Sequence, residues 1–468
     1  MIVLAIHMTD RTGTKRLYRI RAVLRMLGRQ APERVHNPKR AVVLSYPSWL
    51  LKLLIRTRLA GFIPAINRLT EGAGSFLACY SRQALRAPRT DLLAFYRLRE
   101  SLDADVIDLG PAVPVFDRVQ QCTATLPSRH SACPDPCGSL DLRHALSRHL
   151  GDELNIEASP LDGIVVTPGG GAALDTVLQA ITNPGDRVVI TDPCPPLYRF
   201  ALRNRGLRIK RLRTWMDGGH TRFRYKSLIR ALRVSKVLLI ASPDSPTGGT
   251  LATEELDQIA WWAHRHDVLV IDDAAFARFR YDGDAARLAH MPKLARRTLT
   301  IGNLGKTHGA TAARIGWIAG HRHLVRPCTL VGAMPASPLS PAGEQAALSA
   351  LADGMITFAP IQAEFRRRRR YVHDRLKAVG MTPPWPSGGF FFWISVNALG
   401  ITGTEFAYRL LTAKRVRVWP GNIFGPSGNN RIRLSYGGDP GRLREGLNRF
   451  CEFVAELGNS APAVRQAA

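Results

Sequence analysis

The segment Thr298-Leu299-Thr300-Ile301-Gly302-Asn303-Leu304-Gly305-Lys306 decides how this chain is read, and Arg314-Ile315-Gly316-Trp317 follows eight residues beyond the lysine. The run Thr298–Ile301, closed by Gly302 and Gly305, has the composition of a short buried strand. A lysine at the end of such a strand can lose its proton through desolvation and attack an aldehyde. Most lysines are surface residues, so its position alone carries little weight.

Working outward, similar β-branched runs recur at Ile164–Thr167, Arg187–Ile190, Val237–Ile240, Val268–Ile271 and Ile315–Ala319. Helical periodicity lies between them, as in Ala172–Ile181, where Leu174, Val177, Leu178 and Ile181 repeat on one face. This alternation predicts an α/β fold with a mostly parallel sheet. Thr167-Pro168-Gly169-Gly170-Gly171 falls between a strand and a helix. Its glycines permit a tight turn whose N–H groups, with the helix terminus, suit a phosphate, although such turns are common and need bind nothing.

Further segments stand in order around these two. Cys133-Pro134-Asp135-Pro136-Cys137-Gly138 precedes Leu142-Arg143; Pro184-Gly185-Asp186 precedes Asp192-Pro193-Cys194-Pro195-Pro196-Leu197-Tyr198. Ser242-Pro243-Asp244-Ser245-Pro246-Thr247-Gly248 is followed by Ile271-Asp272-Asp273-Ala274-Ala275-Phe276, and later by Pro420-Gly421, Phe424-Gly425 and Arg433-Leu434-Ser435. Taken together, over roughly residues 105–457, the set resembles the class I/II aminotransferases, fold-type I enzymes dependent on pyridoxal 5′-phosphate (PLP). The lysine segment also resembles the capreomycidine-synthase-like branch of that family.

The resemblance implies a three-layer α/β/α PLP-dependent transferase fold with a smaller C-terminal α/β domain, and a homodimer. It implies that Lys306 carries PLP as a Schiff base and moves the substrate proton, and that Asp273 faces the pyridine nitrogen. Arg314 would bind the cofactor phosphate with the backbone at Gly170 and Gly171, and Arg433 the substrate α-carboxylate. Ser245, Phe276 and Asn303 occupy further cofactor-binding positions, but each departs from the family residue, as do Cys133 and Pro195. Ser245 and Phe276 replace two donors to the cofactor's phenolic oxygen, which should raise the pKa of the Schiff base. The implied reaction is amino-group transfer between a small amino acid and a 2-oxo acid. A PLP-dependent lyase, cyclase or decarboxylase is the alternative on the same scaffold.

Composition sets the remaining bounds. The 468 residues carry 65 Lys and Arg against 37 Asp and Glu, a formal net charge of +28. Residues 1–100 hold 19 of those basic residues and only 5 acidic ones. This basic extension, residues 1–104, leaves open a transcription regulator with an aminotransferase-like sensor. The only amphipathic basic helix there, Arg82–Arg99, lacks a helix-turn-helix partner, so nucleic acid is not the expected ligand. The longest apolar stretch, Ala41–Ile66, is broken by Lys52, Arg56 and Arg58, so no membrane span is expected. The first ten residues are too short for a signal peptide's apolar region, and seven scattered cysteines suit reduced thiols; both point to the cytoplasm. Cys133 and Cys137 lack the partners of a zinc site, and no metal is expected. The expected division is a PLP-binding domain over 105–326, a small domain over 327–457 and a frayed tail over 458–468. The run Arg366–Arg370 reads as a solvated helix face.

Overall fold

A computed structural model of the chain describes residues 105–111, 113–115, 135–282, 286–333 and 339–460, with His7–Thr9 and Lys15–Leu17. The chain separates into two compact units, Met1–Tyr80 and Ser81–Ala468. Within the first, strands β1 (His7–Thr9) and β2 (Lys15–Leu17) pair antiparallel. The rest of the basic extension, the helix expected at 82–99, Cys133 and the tail beyond Ser460 lie outside the described residues.

Among the described residues of the second unit, β3 (Ile107–Asp108) and α1 (Leu140–Leu154) are followed by β4 (Ile164–Thr167), α2 (Gly170–Ile181), β5 (Arg187–Asp192), α3 (Pro196–Asn204), β6 (Arg208–Asp217) and β7 (His220–Phe223). It continues through α4 (Tyr225–Leu232), β8 (Val237–Ala241), α5 (Thr253–Arg265), β9 (Leu269–Asp273), β10 (Thr298–Asn303), α6 (Leu304–Thr307), β11 (Gly316–Gly320) and α7 (Arg322–Ala333). After these come α8 (Pro341–Ala378), β12 (Phe391–Ser395), α9 (Gly403–Lys414), β13 (Val416–Arg417), β14 (Trp419–Pro420), β15 (Arg431–Ser435) and α10 (Pro440–Ser460). Each of the six strands expected from the sequence is present, most extended by one or two residues at the C-terminal end.

The large sheet runs β4-β11-β10-β9-β8-β5-β6-β7. Neighbours from β10 to β6 are parallel, while β11 lies antiparallel to both β10 and β4, and β7 to β6. Alternation along the strands feeds two cores. Val188 and Ile190 pack with the apolar faces of α2 and α3, whereas Val189 packs with α4 and α5. Ile164 and Val166 join α1 and α8, and Val165 joins α2. Helices therefore cover both faces, as parallel sheets require. The smaller sheet, β12-β15-β14, is covered by α9 and α10 around a phenylalanine-rich core.

Local chemistry sets the helix ends. Ser139 caps α1 by accepting the Leu142 N–H, and Asn155 ends it in the left-handed region. At Gly316 a Cβ would stand 2.3 Å from the Gly169 carbonyl carbon, so only glycine lets β11 close on the turn before α2.

One expectation fails. In the Arg366–Arg370 run, Arg368 and Arg369 are buried. Arg369 donates to Asp282 and to the Pro386 carbonyl at 2.6 and 2.7 Å, and its guanidinium lies over the Tyr281 and Trp385 rings. A basic run on a helix follows the helical period, so adjacent arginines face different surroundings. Here part of the run ties α8 to the chain before β12.

Candidate active site

The C-terminal ends of β9 and β10 and the turn after β4 enclose a cavity of about 170 Å³. Gly169–Gly171, Asp273, Asn303, Lys306 and Arg314 all line it. Residues separated by more than a hundred positions thus meet because parallel strands place their C-terminal ends side by side.

Lys306 follows β10 on the single turn α6, held by Asn303, whose side-chain oxygen accepts the Lys306 backbone N–H at 3.0 Å. Its ammonium Nζ stands 4.3 Å above the centre of the buried Phe276 ring. Burial lowers the lysine pKa from its usual value; the Asp273 carboxylate opposes that shift and the Arg433 guanidinium adds to it. An amine that holds its proton less tightly is more readily available as a nucleophile.

Asp273 ends β9. One carboxylate oxygen accepts the Ala275 N–H at 2.9 Å and the other accepts the Tyr198 hydroxyl at 2.7 Å. No local pattern marks Tyr198 for this contact; the packing of α3 against β9 creates it.

Arg314 is exposed and has a backbone φ of +55°. Its guanidinium approaches the turn, where a Cβ on Gly169 would lie 3.1 Å from Nη2. No carboxylate pairs with it among the described residues. Gly170 and Gly171 open α2 beside it, and a Cβ on Gly170 would lie 3.2 Å from the Asn303 amide nitrogen. A guanidinium, a helix N-terminus and an amide converging on one cavity can hold an oxyanion.

Arg433, on β15, is buried and donates to the Ser245 hydroxyl at 3.1 Å and the Gly110 carbonyl at 2.7 Å. Its guanidinium faces the Phe391, Trp419 and Phe424 rings at about 5 Å. Ser245 thus contacts Arg433 and does not line the small cavity, while Phe276 sits beneath the lysine amine and packs edge-on against Phe390 and Phe391. Gly110 is a second contact not anticipated from sequence. A Cβ there would collide with Trp419 at 2.1 Å, so glycine allows the chain to reach Arg433.

The sequence profile of the family described as aminotransferase class I and II matches residues 106–450. The chain belongs to that family. Among its relatives is the putative aminotransferase YugH of Bacillus subtilis, 31% identical over 385 residues that make up 81% of this chain and 98% of the relative. The aspartate aminotransferase of Pyrococcus abyssi is 29% identical over 79% of this chain and 98% of its own length. Among solved structures, the aromatic aminotransferase of Pyrococcus horikoshii superposes with a TM-score of 0.71 at 28% identity, covering 77% of this chain and 98% of that one. This aminotransferase therefore has the PLP-dependent fold-type I architecture that its motif order implied. No helix among the described residues is long and apolar enough to cross a membrane.

Proposed function

We propose that this aminotransferase binds pyridoxal 5′-phosphate in the cavity of Lys306 and moves an amino group between a small amino acid and a 2-oxo acid. The observation that carries the reading is the convergence of a desolvated amine, a fixed carboxylate and an anion-holding turn on one cavity. When bound, the cofactor would supply an electron-poor ring that withdraws charge from the substrate carbon.

The chain's own residues then have distinct tasks. Arg314, Gly170 and Gly171 hold the phosphate, with the Asn303 amide beside them. Asp273 stabilises a proton on the ring nitrogen, and Tyr198 and the Ala275 N–H keep that carboxylate aimed. The Lys306 amine would hold the cofactor's aldehyde carbon and would carry the proton at the substrate carbon. Phe276 gives that amine an apolar floor without an added hydrogen-bond donor. Arg433 holds the substrate α-carboxylate, with Ser245 and the Gly110 carbonyl setting its orientation. The enzyme acts as a homodimer in the cytoplasm on this reading, supported by the family resemblance and by free thiols at Cys137, Cys194, Cys328 and Cys451.

Purified protein mixed with the cofactor should develop an absorbance band that borohydride reduces, and Lys306→Ala should lack it. A wild-type protein that never develops the band would end the proposal. Turnover of amino acid that requires no 2-oxo acid would reassign the reaction to elimination or decarboxylation.

A further inference from the structure

A second, larger cleft of about 640 Å³ lies beside β6, next to the edge strand β7, and shares no lining residue with the cavity of Lys306. Three arginines line it: Arg213 on β6, Arg224 just before α4, and Arg431 on β15. Trp215, Trp393 and Thr214 complete the part that matters here.

Its charge is one-sided. No carboxylate is among the lining residues, and the ion pairs of the described residues involve other arginines, such as Arg222, Arg278, Arg287 and Arg369. Arg213 and Arg224 are exposed and Arg431 is half-buried; the half-buried Arg222, by contrast, is matched with Glu255. Arg431 is partly buried, and that burial lowers its pKa. Thr214 adds a hydroxyl that is buried without a hydrogen-bond partner. Three like charges gathered on separate elements repel one another, and the half-buried Arg431 adds a desolvation cost that no counter-ion offsets. An oxyanion relieves both penalties.

We infer that this cleft is a binding site for a multiply charged organic oxyanion. Its volume suits a small organic ligand rather than a lone ion. The planar indoles of Trp215 and Trp393 supply apolar wall, and the guanidiniums supply bidentate donors to carboxylate or phosphate.

The sheet register fixes where this site stands. Asp273 pairs with Ala241 on β8, Leu239 with Ile190 on β5, and Asp192 with Arg213 on β6. Arg213 therefore lies in the row of Asp273, three strands away, or roughly 14 Å at the usual strand spacing. The side chain of a small amino acid held at Lys306 is too short to span that gap. The anion is either the far end of an extended amino donor or a separate molecule, and both present the same oxyanion chemistry to the arginines.

Calorimetric titration of the full chain, saturated with pyridoxal 5′-phosphate, with citrate as the probe and acetate as the singly charged control, tests this. Citrate should bind and acetate should not. Arg213→Gln and Arg431→Gln should each weaken citrate binding by about tenfold, the loss of one charge-assisted interaction. Arg224→Gln gives a third reading, and because Arg213 and Arg224 are both exposed, folding defects do not confuse these two. If the wild-type protein forms no cofactor band, the loss of citrate binding in the three cleft variants can still be read, which separates this proposal from the preceding one. No citrate binding to wild-type protein, or binding that survives all three cleft substitutions, overturns it. Citrate that raises KM for a long acidic donor competitively assigns the cleft to the substrate's far end; citrate that binds without changing KM assigns it to a free anion.

Discussion

Tyr198 donates its hydroxyl proton to Asp273 across 2.7 Å, fastening helix α3 to the end of strand β9. The tyrosine is fully buried, and burial followed by the neighbouring carboxylate raises its pKa well above the usual 10. It remains a donor throughout the working pH range. With the Ala275 N–H on the other oxygen, the carboxylate has a donor on each side.

Tyr198→Phe keeps the ring and removes only the donor. An unmet hydrogen bond at a half-buried carboxylate costs about 1–2 kcal/mol, so kcat/KM should fall about tenfold while the thermal midpoint changes little. Steady-state kinetics beside a melting curve separate the two, and unchanged kcat/KM would show that Asp273 needs no help from Tyr198.

Asp244 is buried, accepts a hydrogen bond from the Thr247 hydroxyl at 2.9 Å and leaves its other oxygen without a partner. Burial raises its pKa to about 7. The folded protein thus holds this proton more tightly than the unfolded chain, whose aspartate titrates near 4. The resulting stability is complete below about pH 4 and is lost as pH rises to about 7. Asp244→Asn removes that loss, so its urea midpoint should exceed that of wild type more at pH 8 than at pH 5. A pH-independent gap between the two proteins would contradict the assignment.

Arg287 and Asp272 form a buried two-bond pair at 2.6 and 2.9 Å, each side chain only 3% exposed. Arg287 also donates to the Ser242 carbonyl, at the start of the loop that ends with Gly248. Arg287→Ala strands a buried carboxylate and should cost about 3–5 kcal/mol in denaturant unfolding. Replacing both residues by apolar ones should cost less than the single change, because no charge is left unpaired.

Two neighbours in the arginine run of α8 should behave differently. Arg367 has a side chain 74% exposed, and Arg367→Ala should change stability by no more than about 0.5 kcal/mol. Arg369, with a side chain 6% exposed and bonded to Asp282, should cost about 3 kcal/mol when replaced by alanine. Equal midpoints for the two variants would restore the reading of this run as a uniformly solvated face.

Much of the fold was legible because strand and helix periods are local. The runs at 164–167, 187–190, 237–240 and 298–301 announced themselves by composition, and glycine at 169–171 marked a turn that only such residues make easily. The arginine run misled because periodicity shows which residues share a face but not what that face meets. Tyr198 carried no local mark, since a tyrosine on an amphipathic helix is ordinarily core, and its partner lies 75 residues away.

From its sequence alone, then, the chain determined its layered α/β order and its family, and it singled out Lys306, Asp273, Arg314 and Arg433 as candidates, because these depend on residue type at particular points along the chain. Tertiary structure alone decided that Lys306 loses solvent above Phe276 and that Asp273 is held by Tyr198. It also decided that Ser245 and Gly110 serve Arg433, and that Arg213, Arg224 and Arg431 share one cleft. Desolvation, hydrogen-bond geometry and charge proximity arise only when strands far apart in sequence are set side by side, and no local pattern encodes that juxtaposition.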